Sequence, residues 1–159
     1  MMLNTKARYA VMAMVYIANK QSLSGNTRPA SILEIASDQD IPQSYLEQIF
    51  IALRKSSLVK SVRGPGGGYL LNREASKILI SDIILSVDET LKMTRCEHNS
   101  PEGCLATKAR CLTHDLWEGL GNVIYNYFRS ISLADICKKQ ILSQPYLSGA
   151  KSSQACENL

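Results

Sequence analysis

Apolar and polar positions change period several times along the chain, and each change marks an element. Tyr9, Met12, Ala13, Tyr16 and Ile17 recur at three- and four-residue intervals behind Thr5, a capping residue type, so a helix is expected over residues 5–19. After a loop at residues 22–28, Ile32, Ile35 and Ala36 make a second, shorter apolar face, with Ser31 placed as its N-cap. Residues 38–41 read as a tight turn, because Pro42 suits the first position of a new helix and pushes Ile41 out of helical geometry. In that third helix, reaching about Ser56, Leu46, Ile49, Phe50 and Leu53 form the core stripe and leave Gln43, Ser44, Glu47 and Gln48 together outside.

The pattern then switches to strand. Leu58-Val-Lys-Ser-Val-Arg63 and Tyr69-Leu-Leu71 are β-rich runs around Gly64-Pro-Gly-Gly-Gly68, a hairpin with a glycine-rich tip and Arg63 at its base. The glycines do not form a nucleotide-phosphate motif, since no Gly-Lys-Ser/Thr follows and Tyr69 takes the last place of Gly-x-Gly-x-x-Gly. Two short helices with a tight turn, the second showing small polar side chains outward, make a helix-turn-helix pattern; a hairpin directly after it is a wing. Polar outer faces occur on every surface helix and a hairpin tip can be a plain solvent turn. Together, however, the features point to DNA, with Arg63 able to enter the narrow, electronegative minor groove.

Ser81 is placed to cap a helix running to about Leu91, with Ile80 as staple. Residues 92–112 lose apolar periodicity, and a loop of that length in a small domain is functional or disordered. Helical spacing resumes from Thr113 to about Arg129, where Leu116, Leu120, Val123, Ile124 and Tyr127 share a face that Trp117, Phe128 and Ile131 widen. So broad a stripe, after the DNA-binding unit has formed its own core, is assigned to dimerisation; packing on the first helix of the same chain is the other reading. Ser132-Leu-Ala-Asp135 opens a short last helix ending near Gln140, and the polar tail from Ser143 is expected to be disordered.

Composition adds less than the distribution of charge. The 159 residues are 45% hydrophobic and 20% charged, compatible with one packed domain. No run approaches the roughly 18 apolar residues of a membrane span, and the N-terminus lacks the order of a signal peptide, so a cytoplasmic protein without membrane contact is expected. The net charge is +4, but residues 1–73 hold nine Lys/Arg against four Asp/Glu, or +5, and residues 74–159 hold nine against ten, or −1. A compact basic half favours nucleic acid as partner.

Five cysteines is an odd count for a disulfide framework, and three of them lie in Cys96-x7-Cys104-x6-Cys111-x2-His114, three thiols and an imidazole within nineteen residues. Such a set suits an iron–sulfur cluster or structural zinc, and the spacing matches neither zinc ribbons nor ferredoxin runs. His98 is a competing imidazole, on a polar loop where solvation is commoner. Cys137 reads as a small core hydrophobe, and Cys156 lies in the tail. Nothing orients a Cys–His pair for nucleophilic attack, so no enzyme is expected. A zinc-bound or thiol-redox-sensing winged-helix regulator and a small iron–sulfur electron carrier remain as alternatives at this point.

Several motifs occurring in order carry a resemblance. Lys6-Ala-Arg-Tyr-Ala-Val11, Ser44-Tyr-Leu-Glu-Gln48, Leu53-Arg-Lys55, Ser61-Val-Arg-Gly-Pro-Gly-Gly-Gly-Tyr-Leu-Leu71, Val87-Asp-Glu89, Thr94-Arg-Cys96, and Cys111-Leu-Thr-His114 with Leu116-Trp117 resemble the IscR family of winged-helix iron–sulfur regulators over about residues 1–140. The resemblance implies a mainly α fold with a small β-hairpin wing: a winged helix-turn-helix over residues 1–91, a cluster-binding loop at 92–112, a dimerisation helix and short last helix over 113–140, and a tail at 141–159. It implies a homodimer that binds pseudo-palindromic double-stranded DNA as repressor or activator. It further implies a [2Fe-2S] cluster on Cys96, Cys104, Cys111 and His114, delivered by iron–sulfur assembly proteins. Ser44, Glu47 and Gln48 would read DNA and Arg63 would enter the minor groove, with Glu47 helping to set which operator class is accepted. The family usually spaces its cysteines as Cys-x5-Cys-x5-Cys; both intervals are longer here, and Pro101-Glu-Gly103 is expected to loop out. Pro42 stands where some relatives carry a small polar DNA contact.

Overall fold

The computed structural model describes residues 4–23, 28–87 and 103–140. The order is α1 (Thr5–Leu23), α2 (Ile32–Gln39), α3 (Gln43–Lys55), β1 (Val59–Val62), β2 (Gly68–Leu71), a 3-10 turn (Ala75–Lys77), α4 (Ile80–Ser86), α5 (His114–Arg129) and α6 (Leu133–Cys137). No helix among the described residues is long and apolar enough to cross a membrane.

α1 is the hub. Its inner face carries Ala7, Ala10, Ala13, Met14, Ile17 and Ala18, all buried, and small side chains let neighbouring helices approach its backbone. Against that face pack Ile35 from α2, Leu46, Ile49, Phe50 and Leu53 from α3, Ile83 and Ile84 from α4, and Leu133 from α6. The first cap is Asn4, whose Oδ1 accepts the Ala7 N–H at 2.9 Å, one residue ahead of the expected Thr5. Two polar links then lock α2 onto α1: the Tyr16 hydroxyl donates to Asp38 Oδ2 at 2.6 Å, and Lys20 pairs with Glu34. The hydrogen bond from Lys20 holds the Glu34 carboxyl below its ordinary range, while burial and the bond to Asp38 push the Tyr16 phenol up.

The turn between α2 and α3 is tighter than its sequence suggests. Ser31 caps α2 as expected, its Oγ accepting from the Glu34 N–H, but α2 runs on to Gln39 and Asp40 alone takes the left-handed conformation, φ 53°. Pro42 stands just outside α3, its carbonyl accepting from the Tyr45 and Leu46 N–H groups, with Gln43 as the first helical residue. β1 and β2 pair antiparallel from Val59↔Leu71 to Val62↔Gly68. Gly64 (φ 106°) and Gly66 (φ 75°) take positive φ at the tip, where a side chain would be strained.

Two pairings were not visible in the sequence. Ala30 bridges Tyr69, adding a short third segment to the wing, and Leu79 bridges Ser132. The second joins the end of α5 to the start of α4 through Ile80 N–H to Ile131 O at 3.0 Å and Leu133 N–H to Ile78 O at 2.8 Å. It also corrects the expected start of α4: Leu79 is the N-cap residue, its N–H donating to Asp82 Oδ2, and Ser81 lies buried inside the helix. Ser132 does cap α6, in a reciprocal box with Asp135. α4 ends at Ser86, with Val87 as its C-cap, short of the expected Leu91; the tail from 141 lies outside the described residues.

Two stability experiments follow from this packing. A Cβ on Gly68 would sit 2.3 Å from the Ala30 carbonyl oxygen; Gly68→Ala should therefore lower stability by about 1–3 kcal/mol, seen as a lower urea midpoint. The bonds from the Ser132 hydroxyl and backbone N–H hold the Asp135 carboxyl below its ordinary range. A depressed folded pKa means stability that is complete above the unfolded value of about 3.9 and lost as pH falls through the folded one. Asp135→Asn should cost about 1 kcal/mol near neutral pH, with the gap to the unaltered protein closing in acid.

Candidate nucleic-acid interface and thiol–imidazole site

α3 presents its polar face to solvent because its apolar stripe is fully used: Leu46, Ile49, Phe50 and Leu53 are all buried. Gln43, Ser44, Glu47 and Gln48 are exposed on the opposite side, as the periodicity predicts, with Arg54 and Lys55 in the last turn. Gln43 Nε2 donates to Glu47 Oε1 at 3.0 Å one turn on, which turns the carboxylate toward the start of the helix. The wing is fixed to this helix by an aromatic contact, Phe50 against Tyr69 with ring centroids 4.3 Å apart. Behind it, Leu71 N–H donates to Gln21 Oε1 on α1, and Asn72 Nδ2 to the Ser57 carbonyl. Arg63 is exposed where β1 ends at the tip, and exposed Lys60 and Arg73 add positive charge along the hairpin. The result is a polar helix with a basic hairpin fastened beside it, suited to a groove lined with phosphates.

At the other end of the molecule the cysteine loop closes on itself. Gly103 N–H donates to Lys108 O at 2.9 Å and Leu105 N–H to Ala109 O at 3.1 Å, with Lys108 in the left-handed region at φ 64°. Gly103 lies so close to the returning backbone that a Cβ would stand 2.2 Å from Ala109 O. The turn brings Cys104 Sγ to 3.1 Å from His114 Nδ1. His114 is the first residue of α5 and 4% exposed, while Cys104 is partly covered, so the imidazole is the buried member of the pair. Cys111 lies alongside, its carbonyl accepting from the His114 N–H at 3.0 Å and its Sγ 3.7 Å from Thr113 Oγ1.

Of the four residues singled out for metal ligation, the structure therefore brings Cys104 and His114 into contact and holds Cys111 a few residues away, partly covered. Cys96 lies outside the described residues, as does the competing His98. Thiol sulfur and imidazole nitrogen at this separation fit donors to one metal, since bond lengths of about 2.3 and 2.0 Å place two tetrahedral ligands roughly 3.5 Å apart. The donor types suit iron–sulfur or zinc chemistry alike. Two neighbours were missed in the sequence: Asp115 and Glu118 bring carboxylate oxygens within 4.8 Å of one another and of a His114 nitrogen, and Glu118 Oε1 is 3.9 Å from His114 Nε2. The i, i+4 spacing of His114 and Glu118 was the available signal. Cys137 is half-buried against the core, and burial pushes its thiol up, in keeping with a packing role.

α5 divides into two halves. Tyr127 and Phe128 pack against the core of their own chain, while Leu116, Trp117, Leu120 and Val123 are exposed, Leu116 by 63%. The end of this helix is thus seated on its own chain, chiefly against α4 rather than on α1 as the alternative reading had it, and its beginning shows a bare apolar stripe.

The chain is similar to known proteins over most of its length. The family described as Rrf2, iron-dependent transcriptional regulator, matches residues 3–139. HTH-type transcriptional regulators IscR from Xenorhabdus nematophila and Photorhabdus laumondii are each 46% identical over 140 residues, spanning 88% of this chain and 81% of theirs. Among solved structures, IscR of T. potens superposes with a TM-score of 0.69 at 33% identity, covering 91% of both chains. CymR, the global cysteine regulator of B. subtilis, superposes with a TM-score of 0.70 at 27% identity, covering 87% of this chain and 98% of its own.

Proposed function

Because the chain belongs to the Rrf2 family of iron-dependent transcriptional regulators, we propose that it acts as a homodimer that regulates transcription according to iron–sulfur status. It is an IscR-type DNA-binding regulator with a winged helix, not an enzyme. The finer reading rests on one observation above all: the 3.1 Å approach of Cys104 Sγ to His114 Nδ1 at the start of the helix that carries the exposed apolar stripe.

In this reading residues 1–91 bind DNA, 92–112 form the sensor loop, and 113–140 supply the dimer contact. Ser44, Glu47 and Gln48 face base edges in the major groove while Arg63 enters the minor groove. Glu47 accepts only, so it admits a cytosine amino group and repels phosphate, which suits a residue that selects among operators. Leu116, Trp117, Leu120 and Val123 pair with the same stripe of a second copy, and two-fold symmetry sets both polar helices on one pseudo-palindrome. Cys96, Cys104, Cys111 and His114 would hold a [2Fe-2S] cluster, delivered by iron–sulfur assembly proteins in a cytoplasmic setting. When bound, the cluster supplies a one-electron centre whose presence reports iron–sulfur supply.

The chain's own residues explain how that end can speak to the DNA face. His114 starts α5 and Ser132 follows its end, where the Leu79–Ser132 bridge ties it to α4. α4 in turn packs on α1 and α3. A shift of the first turn of α5 is therefore carried by a continuous helix into the core that seats the reading helix. Zinc is the second reading, favoured by the carboxylates of Asp115 and Glu118 beside His114, since zinc accepts such oxygen donors.

Anaerobic purification separates the two. The cluster reading expects visible absorption with two irons and two sulfides per protomer, lost in Cys104→Ala; a colourless protein with stoichiometric zinc, or a full cluster in Cys104→Ala, would overturn it or move the ligand to another residue. Arg63→Ala should weaken operator binding by about 1–3 kcal/mol and flatten its salt dependence by about one unit of slope. Unchanged affinity and slope in an anisotropy titration would remove the wing from the interface.

A further inference from the structure

One exposed side chain on α3 does not belong with its neighbours. At about 100° per residue, Ser44, Gln48, Ile51 and Lys55 form one ridge, with Ile51 within about 20° of Ser44 in projection. The ridge lies opposite the buried Leu46, Ile49, Phe50 and Leu53. Ile51 thus stands in the middle of the polar face, two turns along the helix, and is 62% exposed. It supports none of the packing that places α3.

We propose that Ile51 is a specificity residue that reads the C5-methyl group of a thymine in the major groove. The inference rests on the DNA-reading assignment of α3. Along the base edges of that groove the thymine methyl is the apolar group; the other positions are hydrogen-bond donors and acceptors. A branched aliphatic side chain gains contact with the methyl, whereas opposite guanine, adenine or cytosine it strips water from polar edges and returns no hydrogen bond. The residues on the first two turns of α3, Ser44, Glu47 and Gln48, are all hydrogen-bonding, so the face combines polar readout near the helix start with apolar readout about 10 Å beyond Ser44. At that separation along the helix, Ile51 meets a different base pair from Ser44.

The test begins by selecting operators from a random duplex library with the full-length protein, then replacing each thymine of the selected site by uracil, which deletes the methyl alone. The unaltered protein should lose about fourfold in affinity at one thymine per half-site, the worth of one buried carbon. Ile51→Ala, exposed and favourable to helix, should bind thymine and uracil operators equally and select a consensus relaxed at that position only. Indifference of the unaltered protein to uracil at every thymine, or persistent discrimination in Ile51→Ala, overturns the proposal. Gln48→Ala separates this from failure of the underlying reading. If Gln48→Ala changes the consensus while Ile51→Ala does not, Ile51 alone is wrong; if neither changes it, α3 is not the reading helix and both fall.

Discussion

Burial of the alanine face of α1 is the constraint on which the other elements depend. Ala7, Ala10, Ala13 and Ala18 leave no volume of their own to fill, so the branched and aromatic side chains of α2, α3, α4 and α6 come in against the helix backbone. Each then has one face committed and one face free. α3 is oriented because Leu46, Ile49, Phe50 and Leu53 must all point inward, and the polar ridge faces outward as a consequence.

The two functional ends use different physics. The DNA face is held by apolar packing and one aromatic contact, Phe50 to Tyr69, which fastens the wing to the helix. The thiol–imidazole end is held by backbone hydrogen bonds around a glycine that tolerates no side chain. α5 links them, with His114 at its start and the bridge to Leu79 just past its end. Between those points Leu116, Trp117, Leu120 and Val123 leave a bare apolar stripe that its own chain does not cover.

Much of this was readable in advance. Elements α1, α2, α3 and α5 and both strands follow from apolar periodicity and from Ser31, Pro42 and the glycines, because local geometry and side-chain chemistry impose those choices. The reading went astray at the ends of elements, α1 running to Leu23 rather than Asn19 and α4 stopping at Ser86 rather than Leu91, and where a tertiary partner decided. Ser81 resembles a cap, but the pairing of Leu79 with Ser132 starts α4 earlier and buries it. At the site, the residue types Cys104, Cys111 and His114 were visible in the spacing. Glu118 was passed over because a helical carboxylate reads as solvated surface until the histidine one turn before it is known to be buried.

The sequence by itself determined which faces are apolar, where the chain must turn, where the positive charge lies and which side chains could bind a metal or a base, since these depend on residue chemistry at short range. Only the tertiary structure decided that Ala30 joins the wing, that Ser132 fastens α5 to α4, and that Cys104 and His114, ten residues apart, stand 3.1 Å from each other. Those are contacts between segments whose local patterns are silent about one another. They form because the collapsed core leaves each backbone group and each apolar face only one partner within reach.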